Sequence, residues 1–145
     1  MIRFTKAEKK HYDAILHLLK ETKLPISDLD EMKFQHFIVA EELNKVIGCV
    51  GLEIYGSDAL LRSLSVKPSL HNKGLGSQLH DKIVEYARSI GIKNLHLLTT
   101  TAEKFFVKKG FVVKKRENVP VQILNTEEFM TICGPSSLYM HKSIS

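Results

Sequence analysis

The chain has 145 residues, of which 43% are hydrophobic and 26% charged, with 21 Lys and Arg against 16 Asp and Glu for a formal net charge of +5. That length fits a single domain, residues 1–145, able to bury a core without staples, and the composition excludes disorder. No apolar run approaches the roughly 18 residues of a membrane span, and Met1-Ile2-Arg3-Phe4-Thr5-Lys6 lacks the apolar block of a signal peptide.

Ile2–Lys6 reads as an opening strand, followed by a helix over Lys9–Thr22 with Tyr12, Ile15, Leu16 and Leu19 on one face. Leu24-Pro25 ends the helix, and Ser27-Asp28-Leu29-Asp30-Glu31 reads as a loop leading into one short helical turn. Phe34–Glu41, Lys45–Tyr55 and Ala59–Val66 read as three strands of an antiparallel meander, with Asn44 in the first turn and Tyr55-Gly56-Ser57-Asp58 in the second. Gly74-Leu75-Gly76 opens a long helix whose apolar face is Leu75, Leu79, Ile83, Tyr86, Ala87 and Ile90, capped by Gly91. Asn94–Thr99 reads as a buried strand, Ala102–Lys108 as a short helix stopped at Gly110, and Phe111–Lys115 as a strand. Val119–Thr131 is hard to assign, with Pro120 limiting any strand, and Ser137–Ser143, after Gly134-Pro135, reads as the last strand. The fold class is α/β: a mixed sheet with an antiparallel N-terminal meander and a strand–helix–strand unit in its second half, flanked by helices.

Chemistry concentrates where a strand runs through Leu64-Ser65-Val66 into His71-Asn72-Lys73-Gly74-Leu75-Gly76-Ser77 and a long helix. Unpaired amides at a helix start, together with the macrodipole, form an anion site, and glycine lets a phosphate approach the backbone. Leu79 stands where a third glycine of a dinucleotide fingerprint would be, and no P-loop spacing occurs, so the glycine pair alone is a weak signal.

The same segment resembles the acetyl-CoA signature of the GNAT superfamily of N-acetyltransferases, Q/R-x-x-G-x-G/A after a strand ending in Val-x-Pro. Here it reads His71-Asn72-Lys73-Gly74-Leu75-Gly76 after Val66-Lys67-Pro68. Downstream, Ala102-Glu103-Lys104-Phe105-Phe106-Val107-Lys108-Lys109-Gly110-Phe111 resembles the second signature of that family. Short pieces are similar to the arsenic-resistance-associated N-acetyltransferases: Leu24-Pro25, Gly51–Gly56, Leu60–Leu64, Thr99–Ala102 and Cys133-Gly134-Pro135-Ser136-Ser137.

The resemblance implies an acetyl-CoA-dependent N-acetyltransferase with a splayed slot in its sheet for the thioester. It places the backbone of Leu64, Ser65 and Val66 along the pantetheine arm and gives the pyrophosphate to the amides from Asn72 to Ser77, with Lys73 as a charged contact or a solvated side chain. His71 departs from the family's Gln or Arg, and Asn72 from its usual glycine; Asn tolerates a positive φ better than most residues. Phe105 and Phe106 are assigned to packing against cofactor and core. Phe106 also stands where the family often has an acidic tyrosine, and it has no proton to give. CoA then leaves as the thiolate, helped by electrostatics or water, or another tyrosine such as Tyr55 or Tyr139 assists.

Glu53 is the candidate base, because it shares a strand face with Cys49, Gly51 and Tyr55. Substrate binding and pairing with Arg62 are its alternative roles. The acceptor implied is a small amine, amino-acid-like and, through the arsenic-resistance resemblance, an organoarsenical or its phosphinic analogue. Relatives of this kind pair, so a homodimer is compatible. The competing reading is a non-catalytic acyl-CoA-binding or regulatory protein of the same fold, suggested by the missing tyrosine.

Other features carry less. The cluster Lys104, Lys108, Lys109, Lys114, Lys115 and Arg116 reads as a solvated face that reaches at most a CoA phosphate, and no nucleic-acid motif accompanies it. His11, His17 and His36 follow no metal-ligand spacing, so no metal is expected. Cys49 and Cys133 are too few and too far apart for a disulfide framework, which points to reducing cytoplasm and free thiols, and no membrane partner is expected.

Overall fold

The computed structural model describes residues 1–126 and 137–145, so Cys133-Gly134-Pro135-Ser136 and the end of the Val119–Thr131 stretch lie outside the described residues. Its elements are β1 Arg3–Lys6, α1 Tyr12–Glu21, β2 Phe37–Glu42, β3 Lys45–Tyr55, β4 Asp58–Val66, α2 Leu75–Ser89, β5 Asn94–Thr99, α3 Glu103–Lys108, β6 Val112–Lys114, α4 Val121–Leu124 and β7 Leu138–Ser143. Seven strands lie in the order β1-β2-β3-β4-β5-β7-β6. β1–β2, β2–β3, β5–β7 and β7–β6 pair antiparallel. β4 and β5 pair in parallel through Asp58, Ala59 and Leu60 against Asn94, Leu95 and His96, which makes the sheet mixed. The β2–β3 turn is tight because Leu43 and Asn44 both take positive φ, 52° and 63°, the twist that suits a two-residue hairpin.

Two expectations need correction, and the described part of one unassigned stretch gains an element. Phe34 does not begin β2: it sits in a 3-10 turn over Lys33–His36, where its ring stacks on Tyr12 at 4.6 Å and meets Phe37 edge-on at 5.1 Å. An aromatic run therefore mimicked a strand while serving as the plug under α1. Ile90 does not belong to the buried face of α2, since it lies past the helix end and is 43% exposed. His80 and Val84 are buried on that helix instead. Finally, Val119–Thr131 contains α4, where Pro120 caps a short helix and so fixes its first turn.

Two compact units divide the chain, with β3, β4 and α2 each contributing to both. The first comprises Met1–Glu53 and Arg62–Tyr86. Its core joins Ile15, Leu18 and Leu19 of α1 to Phe34, Phe37, Val39 and Cys49. Full burial of each such side chain is worth roughly 1.5–3 kcal/mol. Gly51 is required there, because the Phe37 ring occupies the space where its Cβ would stand. The second unit comprises Ile54–Leu61 and Ala87–Ser145, and its core includes Leu60, Val119, Ile123 and Tyr139, with Tyr55 and Leu98 packed against them.

Candidate active site

Within the first unit, β4 is interrupted at Ser63, a non-glycine residue at φ 60° in mid-strand. The Cys49 thiol donates to the Ser63 carbonyl at 3.3 Å. Beyond this break come Leu64 and Val66, half-buried, and Ser65, which is buried and shares a 2.6 Å hydrogen bond with Thr22 at the end of α1. The connection to α2 then takes left-handed backbone twice, at Asn72 (φ 66°) and Gly74 (φ 81°). Alternation of this kind turns successive amides into one concavity, and the first turn of α2 adds amides that have no intrahelical acceptor. His71 pins the loop to the strand through Nε2 at 3.0 Å from the Val66 carbonyl, while Lys73 stands in solvent. Leu75 anchors the helix start in the core, and Ser77 is half-buried.

The glycines test whether this loop fits a phosphate. Gly74 is needed for its φ, because nothing lies within 4 Å of where its Cβ would be. At Gly76 the nearest atom to an added Cβ is Val66 Cγ2 at 3.8 Å, an ordinary contact, and φ is not positive. The fold therefore does not demand glycine at position 76, and the bare backbone leaves the helix start open to the close approach of an anion.

On the other side of the Ser63 break stands Arg62, whose side chain is fully buried. All five of its N–H groups are engaged. Nε donates to Ser63 Oγ (3.2 Å), Nη1 to Glu53 Oε2 (2.9 Å) and Asp28 Oδ2, and Nη2 to Asp28 Oδ1 (2.9 Å) and the Pro25 carbonyl (3.4 Å). Lys33 donates to Asp28 Oδ2 at 3.2 Å and stands 3.7 Å from Glu53 Oε1. Burial raises the Asp28 carboxyl, but Arg62 and Lys33 outweigh it and hold that group below its ordinary range. Burial also works against the Lys33 ammonium, but Glu53 and Asp28 outweigh it and hold the amine above its ordinary value. Two acids and two bases thus form one buried, neutral cluster with Glu53 at its edge.

The GNAT acetyltransferase-domain family model matches residues 33–113, more than half of the chain. The chain belongs to the GNAT family. Among curated relatives, the amino-acid acetyltransferase of Aeromonas salmonicida is 31% identical over 94 residues, 63% of this chain and 21% of that protein. The amino-acid acetyltransferase of Pseudomonas fluorescens is 35% identical over 92 residues, 62% of this chain and 21% of that protein. This chain therefore spans about a fifth of the curated relatives it matches. Among solved structures, N-acetylglutamate synthase from Neisseria gonorrhoeae, complexed with coenzyme A and N-acetyl-glutamate, superposes with a TM-score of 0.86 at 21% identity, over 100% of this chain and 35% of that one. A Mycobacterium tuberculosis protein in complex with CoA superposes at 0.81 and 21% identity, over 97% of this chain and 98% of that one. These superpositions establish the GNAT fold.

The remaining candidates divide by unit. Leu64, Ser65, Val66 and the loop His71–Ser77 come together with Glu53 in the first. Phe105 and Phe106 belong to the second, where Phe106 is buried with its ring edge-on to Phe105 (5.1 Å) and Phe111 (5.4 Å). Tyr139, considered as a proton donor, is committed to His96 Nδ1 at 2.7 Å, and burial and then Asp58 push its pKa up to about 12. Burial likewise pushes the Cys49 thiol to about 12, which makes it a packing group. Among the described residues no group of three His, Cys, Asp or Glu is placed to hold a metal ion. No helix of the described residues is long and apolar enough to cross a membrane.

Sequence reasoning missed Asp28 and Lys33. Both lie in the stretch between α1 and β2, where no periodicity marks a buried charge. It also missed His96 and Asp58, although a histidine inside the apolar strand Asn94–Thr99 was a visible irregularity.

Proposed function

We propose that this GNAT protein transfers the acetyl group of acetyl-CoA to the amine of a small amino-acid-like molecule. The observation that carries this reading is a loop with two left-handed residues and an unforced glycine at a helix start, held in the same compact unit as a buried carboxylate. The amides from Asn72 to Ser77 receive the pyrophosphate, the backbone of Leu64–Val66 lies along the pantetheine arm, and Phe105 and Phe106 supply apolar packing. Acetyl-CoA brings the activated acyl thioester. Glu53 takes the proton of the acceptor amine, directly or through water, and Arg62 holds the carboxylate in place through Oε2. Phe106 has no proton to donate and Tyr139 holds its own tightly, which favours departure of CoA as the thiolate.

The amino-acid acetyltransferase relatives support an amino-acid-like acceptor. The short pieces shared with arsenic-resistance-associated enzymes extend the class to amino-acid-like organoarsenicals. Calorimetry with acetyl-CoA, followed by thiol release across such acceptors, tests the reading. Gly76→Glu places bulk and negative charge in the phosphate cradle, so acetyl-CoA binding is lost while the melting temperature holds. Unchanged affinity in that folded variant refutes the site. Glu53→Gln keeps shape but removes basicity, so kcat/KM falls by about 10²–10⁴-fold at neutral pH with acetyl-CoA affinity intact. A rise in KM at constant kcat would make Glu53 a substrate ligand instead. The rival reading, a non-catalytic acyl-CoA-binding protein suggested by Phe106, predicts binding without thiol release for every acceptor.

A further inference from the structure

An acceptor that carries a carboxylate beside its amine needs a cation near Glu53, and two are present. Arg62 is the obvious one by charge, yet it has nothing left to offer. Its side chain is fully buried, and each of its five N–H groups already meets an acceptor on Ser63, Asp28, Glu53 or Pro25. Asp28 is the reason, because its two oxygens take Nη1 and Nη2 together. Lys33 is built differently. Its side chain keeps 27% of its surface exposed, and its ammonium has three N–H groups, of which one reaches Asp28 Oδ2 at 3.2 Å. The gap to Glu53 Oε1, 3.7 Å, is too long for a hydrogen bond.

We infer that Lys33 is the acceptor's carboxylate anchor, and that the Lys33–Glu53 pair selects amines with an anionic group on the neighbouring carbon. An α-amino acid carries its two charged groups as close together as the Lys33 ammonium and the Glu53 carboxylate stand. Laid antiparallel to that pair, its amine faces Glu53 and its carboxylate faces Lys33, so that signs alternate around the four groups. A plain primary amine, a polyamine or a lysine side chain of another protein meets Glu53 but brings no anion to the N–H groups that Lys33 does not spend on Asp28. The pair therefore discriminates by charge pattern rather than by shape. This inference rests on the proposed acceptor site, and it adds the residue that makes the site specific.

The test compares wild type, Lys33→Met and Lys33→Arg with L-alanine, L-methionine, L-glutamate and their methyl esters. Two readouts are used: equilibrium binding to the protein saturated with CoA, and thiol release from acetyl-CoA. A charged hydrogen bond is worth roughly 10- to 150-fold in affinity, so Lys33→Met weakens binding and raises KM for the free amino acid by about that factor. The expected kcat is nearly unchanged, the esters lose nothing, and Lys33→Arg recovers most of the loss. Equal losses for acid and ester, free acids that bind Lys33→Met as well as wild type, or no free amino acid binding to wild type each overturn the inference. Binding that discriminates acid from ester without thiol release would instead refute the transferase reading and leave Lys33 as the anchor.

Discussion

The Arg62 network and the hydrogen-bonded chain through His96 are both buried, and both tie together residues more than 30 positions apart, but they differ in what carries the interaction. Around Arg62, in the first compact unit, four formal charges meet: Asp28 and Glu53 against Arg62 and Lys33. Around His96, in the second unit, Asp58 Oδ1 accepts from Nε2 at 2.7 Å and the Tyr139 hydroxyl lies 2.7 Å from Nδ1. A carboxylate can only accept, so a proton on Nε2 joins the ring to Asp58. The first assembly is held by ionic charge; the second is held by one proton's position. The difference bears on Glu53, the proposed base: Asp28 draws on the same two cations, so Glu53 shares them with a second carboxylate.

The largest expected effect removes the centre of the ionic assembly. Arg62→Met leaves the Asp28 and Glu53 carboxylates buried with only Lys33 to compensate, and breaking a buried pair in this way costs about 3–5 kcal/mol. Urea denaturation at neutral pH measures it. Adding Asp28→Asn removes one of the stranded charges, so the double variant is more stable than Arg62→Met alone. The matching cut in the second unit is Tyr139→Phe, which strands Nδ1 of His96 without its hydroxyl partner and costs roughly 1–3 kcal/mol. Equal losses from Arg62→Met and Tyr139→Phe would break the comparison, because losing the central cation of a four-charge network and losing one phenol hydrogen bond would then cost the same.

The sequence carried one half of this comparison better than the other. β3 and β5 were legible to the residue because β-branched and apolar runs end at clear turns, and the loop at His71–Ser77 was legible from its glycines and the helix that follows. Pairing of Glu53 with Arg62 was one of the roles open to Glu53, since the two stand on adjacent strands of the meander. Asp28 and Lys33 were not legible, because a loop's polar residues look solvated until the fold closes over them. Phe34 misled for a related reason: an aromatic residue signals burial, and its period does not say whether strand or turn delivers it. His96 was overlooked because a buried imidazole is neutral in composition counts, and its partners Asp58 and Tyr139 lie 38 and 43 positions away.

The smallest expected effect concerns pH, and it separates the two assemblies most cleanly. Asp28 is held below its ordinary 3.8, so the stability it contributes is fully present above that value and is lost as pH falls through its lower folded value. Lys33 is held above 10.5, so its contribution is fully present below that value and is lost as pH rises through the higher folded one. Between about pH 5 and 9 neither the Asp28 nor the Lys33 contribution changes with pH, and the stability gap between wild type and Asp28→Asn stays constant there. His141, whose ring lies 5.1 Å from that of His96 and whose Nε2 meets Asn94 Oδ1 at 2.9 Å, behaves otherwise. Burial, then His96 and Lys114, lower its pKa from 6.5, and Asp58 only partly opposes them. Its neutral form is the one the fold prefers, so the benefit exists above pH 6.5 and disappears as pH falls from there through the lower folded value. The gap between wild type and His141→Gln should accordingly narrow below pH 6.5, while the Asp28→Asn gap does not move. His36, lowered by burial and by Lys6, titrates in all of these proteins and cancels from both differences. A His141→Gln gap that stays flat from pH 8 to pH 5 would show that the surroundings of His141 are as insensitive to protons as Asp28 and Lys33.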